Sequence, residues 1–242
     1  MGHVTVVGGC RAKAPLTGIL ASTLPVGSTV KLMENGAAVE YLVVNQGIPS
    51  NSSLYDASCD GTWLLRKYIH SERQWHTSDV NKYETSAINT WLNGDFFNAL
   101  GSAEQAAIRK IKIPYCVGNG ISTINGGANG LSTKVFLLGG YEVGADSDYS
   151  YFPVDGAKLS YFEPGTGTSA NKKRISYLNN GSVRSWWLRS PHANATTQAC
   201  RVTDEGDYAT STTSRSHGIR PALILPKTAL FDASTLILKG VA

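Results

Sequence analysis

Along the chain, short apolar runs alternate with turn residues, and helical spacing shows in only two places. Thr29 to Met33 and Val39 to Val44 are β-like runs on either side of "ENGAA", where Asn35-Gly36 accepts the positive φ of a tight hairpin turn. Trp63 to Tyr68 predicts another strand. From Ser86 to Leu92, Ile88, Trp91 and Leu92 fall at helical spacing. A second short helix is expected from Ser102, which has Gln105 at capping-box distance and runs into the helix formers "AEQAAIRKI". "IKIPYCV" reads as β, with Pro114 requiring an edge or a bulge.

Residues 117 to 133 are rich in Gly, Asn and Ser and predict a loop rather than a linker, because core-like "KVFLLGGYEV" follows at once. Residues 145 to 172 are mostly loop, punctuated by Tyr151, Phe152, Tyr161 and Phe162. Strands are expected around Trp186 to Arg189, Ala199 to Thr203 and Ile219 to Leu225. Two early helices, many short strands and long loops predict an α+β class. Residues 25–242 are expected to form one domain, and residues 1–24 read as an extended N-terminal arm, a linker or an assembly segment.

The segment from Ser185 to Pro226 contrasts sharply within itself. Its ends, "SWWLRSP" and "GIRPALILP", are heavy. Its middle, residues 192 to 217, has no Leu, Ile, Lys, Trp, Phe, Met or Pro, and half of it is Thr, Ser and Ala. Adjacent Trp186 and Trp187 on a strand point to opposite faces. Arg189 and Arg220 offer two readings, an anion-binding pair or, the preferred one, a brace for loop carbonyls. If the stretch after Pro191 is extended, His192, Asn194, Thr196 and Gln198 face out, while Ala193, Ala195 and Ala199 face in. Cys200 and Val202 read as core. Arg201, Asp207, Thr210, Thr212, Arg215 and His217 complete the expected exposed face. Tyr208 fits either a recognition role on that face or a plug in the core.

Composition narrows the chemistry. The net charge of +4 is small, and Lys172, Lys173 and Arg174 form the only tight basic cluster, which argues against nucleic-acid binding. No apolar run reaches the length needed to cross a bilayer, and no signal peptide is legible, so the chain is read as made in the cytoplasm. Cys10, Cys59, Cys116 and Cys200 lie far apart without a C-x-x-C pair, so free thiols are expected rather than zinc or redox motifs. Asn51, Asn180 and Asn194 begin N-x-[ST] matches, which mean little without a secretory route. His3, His70, His76, His192 and His217 are scattered, and none of the hydrolase, zincin or nucleotide-loop motifs occurs. His192 and His217 read as exposed loop ends. Asp56, Asp60, Asp146 and Asp148 have the chemistry for calcium but not the spacing of an EF-hand, so no cofactor or metal is expected.

"SWWLRSP" followed by "GIRPAL", with "WLLRKY", "INTWLN", "IKIPY", "FLLGGYEVG" and "YFPVDG" upstream, resembles the DUF6273 family of bacterial and phage proteins, common in gut Firmicutes and their prophages. The resemblance runs from Pro25 to Pro226. It implies a C-type-lectin-like fold related to formylglycine-generating enzymes, in which a Trp-rich strand and a closing Gly-Ile-Arg strand frame ligand-facing loops, here residues 185–225. It further implies a variable protein of a diversity-generating retroelement, in which adenine miscopying rewrites residues near the C-terminus. AAC-type codons then yield small polar residues, though not Gln198 or Glu205. The function so implied is display of a diversified receptor-binding surface on a phage tail or bacterial surface, not catalysis. Its partners would be host or bacterial surface proteins or glycans, and trimerisation through the arm would fit a tail tip. Two alternatives stay open: an enzyme related to the formylglycine-generating group, for whose copper-binding cysteine pair only Cys200 lies in the right region, and a structural virion or surface spacer.

Overall fold

In the computed structural model, which describes residues 16–50 and 52–242, Asn35 and Gly36 take φ values of 48° and 79°. This two-residue reversal pairs Thr29–Glu34 antiparallel with Ala37–Gln46. The second strand continues into Thr62–Arg66, then Ala222–Leu225, then Val135–Phe136, which completes a five-stranded antiparallel sheet. Its central sequences "TWLLR" and "ALIL" are buried along their whole length. The reason is that both faces are covered. Leu64, Leu223 and Leu225 belong to one apolar cluster, whereas Trp63, Leu65 and Ile224 belong to another on the opposite side.

A second five-stranded sheet runs in the order Tyr208–Thr212, Gln198–Val202, Trp186–Pro191, Ser216–Gly218, Glu72–Gln74. Only the pairing of Trp186 with Gly218 is parallel. Trp186–Pro191 at its centre is buried at every position. The two tryptophans diverge as the strand period requires: Trp187 packs into the first cluster and Trp186 into the second, each fully buried. This strand therefore ties the two cores together.

Three smaller sheets complete the β structure. Ile19–Leu20, inside the segment read as an arm, pairs with Ala229–Phe231, which pairs with Leu238–Val241. Residues 1–15 of that arm, with Cys10, and the Asn51 match lie outside the described residues. Pro114 divides the expected "IKIPYCV" strand into Ile111–Ile113 and Tyr115–Gly118. Their partners, Leu131–Thr133 and Ile121–Asn125, arise from the stretch expected to be loop.

Helix is limited. Ser86 caps Ala87–Trp91 by accepting a bond from the Asn89 amide, and the run continues through a π turn at Leu92–Phe96 to Phe97–Ala99. The helix Ser102–Ala107 forms without the expected capping box. Gly101 is its cap, and the Gln105 amide donates instead to the carbonyls of Asn98 and Leu100. Strands make up 34 % of the described residues and helices 20 %, so the α+β, C-type-lectin-like expectation is corrected to a mainly β architecture of five small sheets. The physical reason is that stretches read as loop pair into short strands, whereas the helices stop after one to four turns and form no layer of their own.

Candidate ligand-binding site

The candidate site begins where the buried strand Trp186–Pro191 ends and the polar segment starts. Residues 192–197 are not an extended strand, so the expected alternation fails there. They form a loop closed by the amide of His192 on the carbonyl of Gln198. The His192 ring folds back on this loop, its Nδ1 accepting from the amides of Asn194 and Ala195 at 3.0 and 3.1 Å. The ring is half-buried against Tyr151, and burial lowers its pKa. Asn81 holds the loop from outside the segment. Its side-chain amide donates to the carbonyls of Ala195 and Gln198, both at 2.7 Å, and its own amide donates to Thr196. Asn81 is fully buried, and its role was illegible in the sequence because nothing local marks it.

From Gln198 to Val202 the chain re-enters the sheet and pairs with the edge strand Tyr208–Thr212. One face of this pair points to the second core and carries Cys200, Val202 and Tyr208. On it, Thr210 donates to the Gln198 side chain at 2.8 Å. Tyr208 is 6 % exposed, and its hydroxyl donates to the carbonyl of Val143 at 3.0 Å. Of the two readings of Tyr208, the core plug is the one observed, for its ring packs against Tyr149 and Phe152 and its one polar atom is satisfied inside. The opposite face carries Trp187 beside Arg201, and the His217 ring meets Trp187 edge-on at 4.6 Å.

His217 is half-buried rather than an exposed loop end. Its Nδ1 lies 2.7 Å from the Ser185 hydroxyl. Burial first, then the guanidiniums of Arg201 and Arg215, push its pKa down to about 4, so the ring is neutral at pH 7. His217 Nε2 and Arg201 Nε are buried without a hydrogen-bond partner among the described residues. Asn194, Thr196, Asp207 and Arg215 are exposed, and Gln198, Thr210 and Thr212 are half-buried. Asp207 is tethered, accepting from the Tyr149 hydroxyl at 3.0 Å. A cleft of about 340 Å³ bordered by Arg73, Gln74, Trp91 and Ser216 opens beside the end of the segment.

The frame is polar as well as apolar. Arg189 donates to both carboxylate oxygens of Glu142 and to the carbonyls of Pro114, Leu137 and Asp155. Five donor contacts leave this buried guanidinium with nothing spare for a ligand. Beside it the Ser190 hydroxyl donates to Asp155, whose buried carboxyl is lifted to about 6 by desolvation despite the pull of Arg189. Arg174, also buried, donates to the carbonyls of Gly206 and Gly165 and so fixes the turn before Tyr208. Arg220 donates to the carbonyls of Arg66 and Lys67 and lies 4.7 Å from the Trp186 ring centre. Glu142 and Asp155 did not stand out in the sequence, where charged loop residues read as surface, and Arg174 was noticed only as part of a basic cluster, not as a buried brace.

A family model described as a domain of unknown function (DUF6273) matches residues 60–227, well over half of the chain. The chain belongs to the DUF6273 family. The matched span takes in the whole frame and the polar segment, and it begins at residue 60 rather than at Pro25. No curated protein and no solved structure matches this DUF6273 chain. Among its described residues, no helix is long and apolar enough to cross a membrane, and no cluster of three His, Cys, Asp or Glu side chains is placed to hold a metal. Asp56 accepts from the Ser58 amide, Asp60 pairs with Lys227, and Asp146 accepts from the Asp148 amide, so these acids have local partners. Cys59, Cys116 and Cys200 are buried and unpaired with one another among the described residues.

Proposed function

We propose that this DUF6273 protein is a binding module that displays a replaceable polar surface, residues 192–217, for recognition of a host or bacterial surface molecule. The observation that carries the reading is the contrast between Trp186–Pro191, buried throughout, and the adjoining loop and the turns on either side of the edge strand, where Asn194, Thr196, Asp207 and Arg215 reach solvent. A framework set by buried side chains keeps the ordering cost of binding low, while exposed positions are free to differ. The small polar composition of the segment fits diversification by a retroelement, with action on a phage tail or a bacterial surface and assembly through the N-terminal arm. Nucleophilic thiol chemistry is disfavoured: burial pushes Cys116 up to about 11 and raises Cys200 well above its ordinary value, so both stay protonated at pH 7. Sequencing the DNA around the gene tests the reading. A reverse-transcriptase gene beside a near-copy of the region encoding residues 185–225, differing at adenines, is the expected result. Related loci in which this region is invariant would contradict it.

A further inference from the structure

Apart from the display segment, Arg220 has an uncommon environment. It is 1 % exposed, and no carboxylate pairs with it among the described residues. Nε and Nη2 bond backbone carbonyls, while Nη1 is buried without a partner among the described residues. A buried guanidinium is normally neutralised by an anion, because desolvating a lone charge is costly. Here burial, and then the neighbouring Arg66, push its pKa down to about 9, which leaves it charged at pH 7.

Arg220 lines a cavity of about 210 Å³ together with Lys67, Lys172 and Lys173. Lys67 is paired with Glu40 at 2.9 Å. Lys173 donates to the backbone carbonyl of Glu163, and neither it nor Lys172 meets a carboxylate among the described residues. The cavity is thus a recess lined by four cations and no carboxylate, with Glu40 paired to Lys67 and Glu163 paired to Lys158 nearby. Tyr68 and Tyr177 line it too, and the same two rings border an adjoining cleft of about 610 Å³ with Leu178. Tyr177 is 40 % exposed, an open aromatic face next to the cations.

We propose that this recess binds an oxyanion, carried by a ring-bearing ligand that lies along Tyr68 and Tyr177. The oxyanion supplies the counter-charge that Arg220, Lys172 and Lys173 lack, and the guanidinium's planar donors suit phosphate, sulfate or carboxylate oxygens. The tyrosine faces take the apolar face of the ring. None of the eleven candidate display residues lines the recess, so the two sites stand or fall separately.

Calorimetric titration of the full chain at low salt with glucose 6-phosphate, inorganic phosphate and glucose tests this. Glucose 6-phosphate is expected to bind most tightly, inorganic phosphate more weakly, and glucose without measurable heat at the same concentrations. Lys172→Ala/Lys173→Ala, the first exposed and the second half-buried, is expected to weaken both phosphates by about tenfold or more, with thermal unfolding lowered only slightly by the lost Lys173 bond to the Glu163 carbonyl. Tyr177→Ala is expected to weaken glucose 6-phosphate alone. Absence of heat with both phosphates, or binding that the lysine variant leaves intact, overturns the proposal. Equal affinity for the two phosphates overturns its aromatic half.

Discussion

The strand Trp186–Pro191 and the strand Tyr208–Thr212 lie two places apart in one sheet, and they are built on opposite principles. The first is central, buried at every position, and filled with large side chains whose polar atoms are satisfied inside the protein. The second is an edge strand. It sinks only Tyr208 and leaves alanine, threonine and serine half-buried. One strand holds the two cores together, whereas the other lends them little. Position in the sheet, more than hydrophobicity alone, separates residues that cannot change from residues that can.

The largest expected effect breaks the fixed side of this contrast. Arg189→Leu strands Glu142 without its ion pair and removes donors from three carbonyls. A loss of about 3–5 kcal/mol is expected in denaturant unfolding. A loss below about 1 kcal/mol would show that the frame does not depend on this network.

Gly206→Ala comes next, because it strikes the junction between frame and display. Gly206 has φ of +80°, and a Cβ there would meet the Asn171 carbonyl oxygen. Strain and collision together are expected to cost about 2–4 kcal/mol and to loosen the turn that Arg174 holds. Thermal unfolding at matched pH measures it.

Acidity separates the two regions more finely. The folded-state pKa of Asp155, about 6, lies above its ordinary value, so the folded state takes up this proton first. Its contribution therefore favours folding increasingly as pH falls from 6 toward 4. Asp155→Asn should then be more stable than the parent at pH 7, by on the order of 2 kcal/mol, and should lose that advantage by pH 4. His217 has the opposite sign. Its folded value, about 4, lies below the ordinary 6.5, so its contribution is complete above pH 6.5 and is lost as pH falls toward 4. His217→Gln should flatten that acid-side loss. Urea midpoints of both variants from pH 4 to 7 check the two signs.

The hairpin at Asn35-Gly36, the run after Ser86 and the opposed tryptophans were legible because each depends on local chemistry: a turn's φ, a cap, a strand's period. The fold class was misread where pairing is non-local. Ile121–Asn125 and Leu131–Thr133 are strands only because other segments lie beside them, and their Gly- and Asn-rich surroundings read as loop. The site was legible as a boundary between heavy and light sequence. Its supports were not. Asn81 lies more than a hundred residues from the carbonyls it holds, and the Glu142–Arg189 pair spans 47 positions, so neither leaves a local mark. Tyr208 shows the remaining limit: among small polar neighbours an aromatic reads equally as display or core, and only the Val143 carbonyl within its reach decides.

The most direct test replaces Asn194, Thr196 and Arg215 together, by Ser, Asn and Ser, and follows thermal unfolding. At up to about 0.5 kcal/mol each, the three changes should move Tm by no more than about 6 °C and keep a single cooperative transition. A fall of more than about 10 °C, or loss of the cooperative transition, would show that these positions hold the fold and contradict a replaceable surface on a fixed frame.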